Sequence, residues 1–461
     1  MASSFDTTIA AAVDDGLIPG VLLLATNTTG SLSVSRVLGS SSIAPGAEVP
    51  LTADAVFPLK SMTKLLTTVA ALQQVERGQL ALDDDVTPRL PALAAAQVLT
   101  GFDAEGAPVL APRAVPVTLR QLLTHSAGSG YDFLSPALQQ YLAATAGTGD
   151  QPGGGPDRSA AEVFGPQPLL YQPGAGWAYG AGVDWAGLLV EQASGQELDE
   201  YISERVLAPV GARDVTFYPH RQPGLVERLW GSLSARDGET GKAVHTPLEY
   251  KARSQALGGE GAYGDVGEYF KVLESLLRDD GRLLRPETAA LMFQPQLDGA
   301  ARDALVAETR HPEWIVGDVP DTGEYNWGLG GLLVDGAAHP WRREGALLWS
   351  GAFNQTYVRP PLPVFLVAAA LGRWLTEGAD PGPQGRRGRH LRHGAGAARR
   401  RQMQGADAGV GGARLCAGQA VRPGRVERGV FRGLHEVLGE SVGGSLWDLY
   451  AAGRGVVICI R

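Results

Sequence analysis

A serine stands three residues ahead of a lysine in Ser61-Met62-Thr63-Lys64, at the start of an apolar stretch. On a helix, residues i and i+3 share a face one turn apart, so the lysine amine can reach the serine hydroxyl. A serine hydroxyl is a poor nucleophile at neutral pH and needs a base within hydrogen-bond reach. A desolvated, neutral lysine can be that base or relay the proton. The N-terminus of the helix adds positive potential where an oxyanion would form during attack on a carbonyl. The ordinary alternative is an N-cap serine with a solvated lysine, and the motif alone does not decide between them.

Three more groups are candidates for the same chemistry. Tyr179, in Trp177-Ala178-Tyr179-Gly180-Ala181-Gly182, precedes a helical pattern and is followed by small residues. A loop tyrosine of this kind can approach a Ser–Lys pair as phenolate base or leaving-group acid, or simply pack as an aromatic. Leu348-Trp349-Ser350-Gly351-Ala352-Phe353-Asn354 reads as an edge strand whose Gly351 and Ala352 admit a substrate carbonyl closely. The Ala352 and Ser61 amides are then a candidate oxyanion hole, with Trp349 beside the substrate; a core strand with a buried tryptophan is the alternative. His125, in Leu-Leu-Thr-His-Ser-Ala-Gly, raises a Ser–His–Asp arrangement, although its place at a helix end favours a carbonyl-capping role.

The elements that must position these groups are legible in outline. The first residues form an amphipathic helix stopped at Ile18-Pro19-Gly20; with Asp6, Asp14 and Asp15 they do not read as a signal peptide. Residues 21–26 and 31–39 flank Asn27-Thr28-Thr29-Gly30 and predict a β-hairpin. Residues 61–77 follow a helical period with Leu65, Leu66, Val69, Leu72 and Val75 inward, and Gly78 supplies the stop. Further helices are expected from near Val117, at 182–195, 197–206, 263–278 and 286–293, with a loop at 146–158. Apolar, glycine-broken runs return at 327–336 and 346–355. Strands at both ends and helices between them predict an α/β (α+β) fold. One antiparallel sheet is built from both termini and flanked by helices, with a mostly helical lobe inserted at about 80–240.

Composition narrows the function. The 461 residues carry a net charge of −9, with 44% hydrophobic and 19% charged residues. That is a globular chain whose field attracts neither nucleic acid nor anionic lipid. No run of ~18 apolar residues predicts a membrane span. The two cysteines, Cys416 and Cys459, fit free thiols in a reducing cytosol better than a disulfide. The eight histidines show no paired ligand spacing, so no metal site is expected. From about residue 373 the chain turns rich in Gly, Ala and Arg, contains no lysine and shows no apolar periodicity over 376–428. It reads as a disordered basic appendage or an out-of-frame gene end, with an Arg-rich RNA-binding arm as the sharper alternative.

Taken in order, these motifs resemble the serine β-lactamase and penicillin-binding-protein superfamily. SMTKLLTTVAALQQVERGQLALDDDV is similar to its nucleophile helix, VTLRQLLTHSAGSGYDF to its helical-lobe signature and PGAGWAYGAGVDWAGLLVEQASG to its tyrosine region. LGGEGAYGDVGEYFKVLESLLRDDGRLL and YNWGLGGLL extend the likeness, and LWSGAFN sits where lactamases carry K-T-G and related esterases W-G-G. TKLLTT, GFDAEG, LLTHSAG, YGAGVDWAG and FQPQL further resemble fungal family VIII-type esterases and transesterases of the lovastatin-acyltransferase kind.

The resemblance implies an acyl-transfer domain over 1–372 with Ser61 as nucleophile, Lys64 and Tyr179 as its acid–base partners and the Trp349–Ala352 strand at the oxyanion. It implies a small-molecule ester or thioester donor, including an acyl group on a carrier protein, and a mechanism without metal or organic cofactor; the cysteine usage is what points to a cytoplasmic enzyme. Two departures move the substrate away from β-lactams. The lactamase Y-x-N is here Tyr179-Gly180-Ala181, and the K-T-G lysine is Trp349, so a side-chain amide and a carboxylate-binding cation are both missing. The likeness is expected to stop after Gln355, with 364–372 as a further strand. A plain carboxylesterase and a catalytically dead protein on the same scaffold stay open as alternatives.

Overall fold

The computed structural model of the chain describes residues 4–146, 157–229, 232–237, 239–247, 250–310, 319–340, 342–352, 355–359 and 364–370. The loop expected at 146–158 is described only at its ends. The tail from 373, with Cys416 and Cys459, lies outside the described residues, as do Phe353 and Asn354.

Helix α1 (Ser4–Asp14) leads into the hairpin of β1 (Gly20–Asn27) and β2 (Ser33–Ala44), and β3 (Ala47–Pro50) pairs with the end of β2. The hairpin turn closes where expected, Gly30 N–H donating to Asn27 C=O at 3.0 Å. Strand β4 (Val56–Pro58) runs into a 3₁₀ turn, Lys60–Met62, and then α2 (Thr63–Glu76). Every residue of α2 from Thr63 to Gln74 is buried, so the helix is interior on all sides and not only along the expected stripe.

The middle of the chain is mostly helical. It holds α3 (Pro91–Ala94), the hairpin β5 (Val98–Phe102) and β6 (Pro108–Ala111), α4 (Leu119–Leu123), α5 (Pro136–Thr145), α6 (Ala160–Phe164), α7 (Gly182–Ser194) and α8 (Leu198–Ile202). A capping box of Thr118 and Gln121 starts α4, and the left-handed Gly195 ends α7. Strand β7 (Val215–Thr216) and the hairpin β8 (Ser232–Arg236) and β9 (Ala243–Pro247) follow. The helix expected over 263–278 begins as strand β10 (Tyr263–Asp265). Asp265 then accepts the Gly267 and Glu268 N–H groups and starts α9 (Val266–Arg278). Strands β4, β10 and β7 form a small antiparallel sheet that anchors the chain just ahead of Ser61. Next come α10 (Pro286–Leu291) and α11 (Gly299–Thr309); the latter was not anticipated.

The large sheet is completed by β11 (Tyr325–Trp327), β12 (Leu332–Val334), β13 (Leu347–Gly351), β14 (Gln355–Arg359) and β15 (Val364–Ala370). Its order is β11-β12-β13-β14-β15-β1-β2-β3, all antiparallel, so both ends of the described chain meet at β1 and β15. The fold expected from the sequence is therefore the fold observed. Two local readings change. The run 327–336 is two strands joined across Gly328–Gly331, because Gly328 N–H closes a turn onto the Gly331 carbonyl. Strand β13 is interior and not an edge, because β14 folds back along its open side from Leu347↔Arg359 to Gly351↔Gln355.

Because α2 is packed on every side, it has little room to relax around a lost side chain. Leu66 is fully buried. Leu66→Ala is expected to destabilise the fold by about 2–5 kcal/mol, read as a lower midpoint in urea unfolding. A loss below about 1 kcal/mol would mean that α2 is not in the core.

Candidate active site

Ser61 is set by the turn it sits in and by hydrogen bonds to the residues on either side of it. It is the middle residue of the 3₁₀ turn, and the cap of α2 is Met62 with no side-chain bond, so Ser61 is not an N-cap. Leu59 N–H donates to the Ala262 carbonyl at 2.9 Å, and the Tyr269 hydroxyl donates to the Met62 carbonyl at 3.0 Å. Lys60 takes φ +50°, a left-handed conformation unusual for a long side chain, directly before Ser61. Such strain persists only where surrounding contacts hold it, and it commonly marks a functional turn. The Lys60 ammonium lies 3.9 Å from the Glu260 carboxylate and holds that acid below its ordinary range.

Lys64 is 2% exposed and its Nζ makes three hydrogen bonds. Its Nζ donates to the Gly259 carbonyl at 2.8 Å, to the Tyr131 hydroxyl at 3.1 Å and to Ser61 Oγ at 3.4 Å. The expected Ser–Lys contact is present, and the lysine is not solvated. Behind it, the Tyr131 hydroxyl donates to Asp184 Oδ2 at 2.8 Å, and Gly259 N–H donates to Asp184 Oδ1 at 2.8 Å. Burial raises the Asp184 carboxyl to about 6, against the lowering influence of Lys64. Burial and the Asp184 charge push the Tyr131 phenol well above its usual range.

Tyr179 reaches the same place from a paired segment. Gly180 bridges Gly130 in antiparallel fashion, and Ala181 N–H donates to the Ser129 carbonyl at 2.9 Å. A Cβ on Gly180 would sit 2.0 Å from the Ser129 oxygen, so the residue after Tyr179 must be glycine for the two segments to meet. The pairing sets the Tyr179 and Tyr131 rings 5.7 Å apart and brings Lys64 Nζ to 4.6 Å from the Tyr179 ring centre. Trp349 Nε1 donates to the Tyr179 hydroxyl at 3.0 Å, which joins β13 to the tyrosine. Trp349 and Gly351 are buried; Ala352, in the turn that follows, is exposed. Strand β13 packs against the turn that carries Ser61.

His125 belongs to this wall but not to a triad. Its Nδ1 accepts the Gly180 N–H at 3.2 Å, which places the ring proton on Nε2, and Nε2 is buried without a hydrogen-bond partner. Its ring packs 4.6 Å from that of Tyr179. Burial, then the charge of Lys64, pushes the imidazole well below its usual value, so it is neutral. No Ser61–His125 pair is formed, because Gly180 claims the only ring lone pair, and no carbonyl is capped, because the Nε2 donor has no partner.

The geometry thus gathers Ser61, Lys64, Tyr179 and the β13 end at one place, and adds three residues that sequence reasoning missed: Tyr131, Asp184 and Gly259. Asp184 did carry a signal, an acid inside the apolar run Gly182-Val-Asp-Trp-Ala-Gly-Leu-Leu-Val, where charge is rarely buried unless it is paired.

A profile of the beta-lactamase family matches residues 5–370. The chain belongs to the beta-lactamase family. The match runs past Gln355 to the end of β15, so the expected stop at 355 is corrected: the last two strands belong to the family fold. The lovastatin esterase of Penicillium rubens is 38% identical over 358 residues, covering 76% of this chain and 88% of that protein. The monacolin J acid methylbutanoyltransferase of Aspergillus terreus is 36% identical over 362 residues, covering 76% and 85%. Unliganded simvastatin synthase (LovD) from Aspergillus terreus, a selenomethionyl derivative, superposes with a TM-score of 0.73 at 34% identity, covering 81% of this chain and 94% of that one. The chain is a serine esterase or acyltransferase of the beta-lactamase-like superfamily.

Gly259 gives a direct test of the lysine network. A Cβ there would lie 2.3 Å from Asp184 Oδ2 and 2.6 Å from the Tyr131 hydroxyl. Gly259→Ala is expected to keep a native circular dichroism spectrum while lowering kcat for a chromogenic ester by about 10²-fold, through displacement of Lys64. Undiminished turnover would show that these contacts do not matter.

Proposed function

We propose that the protein transfers acyl groups from an ester or thioester to an alcohol or to water through an acyl-Ser61 intermediate. The observation that carries this reading is the buried Lys64 amine 3.4 Å from Ser61 Oγ, with its other two contacts made to oxygen acceptors. In the cycle, Ser61 Oγ–H gives its proton to Lys64 Nζ, assisted by Tyr179, as Oγ bonds to the substrate carbonyl carbon. The Ser61 and Ala352 amides hold the resulting oxyanion. The carbon–oxygen or carbon–sulfur bond to the leaving group then breaks, and Tyr179 delivers the proton that the leaving group takes. Water or an acceptor alcohol repeats the sequence in reverse and frees Ser61.

The departures from the lactamase pattern support esters and thioesters over β-lactams. Ala181 is fully buried and offers no side-chain amide, and Trp349 is committed to the Tyr179 hydroxyl and offers no cation. The relatives, an esterase acting on lovastatin and acyltransferases acting on monacolin J acid, support a secondary-metabolite alcohol or ester as substrate. A carrier-bound acyl thioester is the proposed donor, with simple ester hydrolysis as the second reading. We take 1–372 as the catalytic domain, with a helical lobe inserted at about 80–240, and a cytoplasmic location. Among the described residues no helix is long and apolar enough to cross a membrane.

Ser61→Ala is expected to abolish hydrolysis of short-chain p-nitrophenyl esters and labelling by a fluorophosphonate probe. Undiminished turnover in that variant would overturn the assignment. With an acyl thioester and a polyketide-type alcohol supplied together, mass analysis that finds ester product marks a transferase, and free acid alone marks a carboxylesterase.

A further inference from the structure

The lysine of a Ser–Lys pair works as a base only if its lone pair faces the serine, and the hydrogen-bond chain behind Lys64 controls where that lone pair points. Nζ is tetrahedral and meets three oxygens: Gly259 C=O, Tyr131 Oη and Ser61 Oγ. The Gly259 carbonyl only accepts, so one N–H is spent there. Tyr131 can accept from Lys64 or donate to it. Its hydroxyl proton is taken by Asp184 Oδ2 at 2.8 Å, so its oxygen is left as an acceptor and spends a second N–H. Asp184 in turn is locked, because Gly259 N–H holds its other oxygen at 2.8 Å. In the amine form of Lys64, the remaining valence toward Ser61 is therefore the lone pair.

We propose that Asp184 is a positioning residue for acyl transfer: by accepting the Tyr131 proton it sets the direction Lys64→Tyr131→Asp184 and aims the Lys64 lone pair at Ser61. The proposal rests on the reading of Lys64 as the base for Ser61. It assigns the orienting work to a helix-borne acid and a second tyrosine. The step it enables balances simply. The Ser61 O–H bond breaks, an N–H bond forms on Lys64, and the electron pair left on Oγ forms the bond to the carbonyl carbon.

The chain can also run the other way. When Asp184 takes a proton, Gly259 N–H keeps Oδ1 as an acceptor, so the proton sits on Oδ2 and faces Tyr131. Tyr131 then turns its own proton to Lys64 and occupies the lone pair. Burial places the Asp184 carboxyl at about 6, so this reversal comes as pH falls through that region and acylation falls with it. The charged and titratable groups around the chain are Lys64, Tyr131 and Glu260 facing Asp184, Tyr179 and Glu260 facing Tyr131, Lys60 and Arg253 facing Glu260, and His125 facing Lys64.

The test is the acylation rate, taken from the p-nitrophenol burst between pH 4.5 and 8, in the full chain and in Asp184→Asn, Tyr131→Phe and the double variant. Asn keeps the shape of Asp but turns an N–H toward Tyr131, fixing the reversed chain. Each single variant is expected to lose about 10²-fold in acylation rate, with KM within about threefold, and to lose the limb near pH 6. The double variant is expected to be no slower than the worse single one, because both break one chain. A folded single variant with the wild-type rate, a retained limb, or losses that multiply in the double variant would overturn the proposal. If Asp184→Asn does not fold, Tyr131→Phe, which removes one oxygen and no charge, decides by the same readouts. Hydrolysis that survives Ser61→Ala would instead sink the reading of the site; a dead Ser61→Ala beside fully active Asp184→Asn and Tyr131→Phe sinks this inference alone.

Discussion

A lysine Nζ buried in the core is the constraint on which the rest of the site depends. A cation at that depth is tolerated only with acceptors on every side. Here the acceptors come from three separate stretches of chain: Ser61 on the 3₁₀ turn, Tyr131 on the paired segment and Gly259 ahead of β10, with Asp184 on α7 holding Tyr131 and Gly259 from behind. Each has to arrive at full register for any of the others to be satisfied. The interior position of α2, the Gly130–Gly180 bridge and the side-chain-free approach at Gly259 are the packing consequences.

The same constraint explains the aromatic wall. Tyr179, Trp349, Trp327 and His125 pack as tilted and edge-to-face rings, with Tyr179–Trp349 ring centres 5.0 Å apart and Trp327–Trp349 4.6 Å apart. The electron-rich face of Tyr179 lies against the lysine itself. A site walled in this way has no fixed cation for a substrate carboxylate at Trp349 and presents instead an apolar surface. That surface accords with acyl chains and ester or thioester carbonyls.

The meeting of Ser61, Lys64 and Tyr179 was legible because helical spacing permits the first contact and the order of the motifs along the chain resembles one family; neither motif alone decided it. The sheet built from both termini could be read from the apolar runs at 21–26 and 346–355. What escaped was tertiary. Tyr131 and Asp184 act on Lys64 across long stretches of chain, and no local period encodes such a meeting. The hydrogen-bonding role of His125 depends on Gly180, a partner on another segment. The interior place of β13 depends on β14 folding back, which the sharp change of composition further on obscured. Ser61 was expected on a regular helix and lies in a 3₁₀ turn, because the left-handed Lys60 tightens the chain just before it.

The central claim is that the acyl group passes through Ser61. Rapid-quench mass spectrometry during turnover of a slowly deacylated ester, followed by peptide mapping, tests it most directly. The account predicts the mass of the acyl group on the peptide containing Ser61, forming and decaying at rates compatible with turnover. Steady turnover by folded protein with no acylated peptide, or with the acyl group on a different residue, would contradict it.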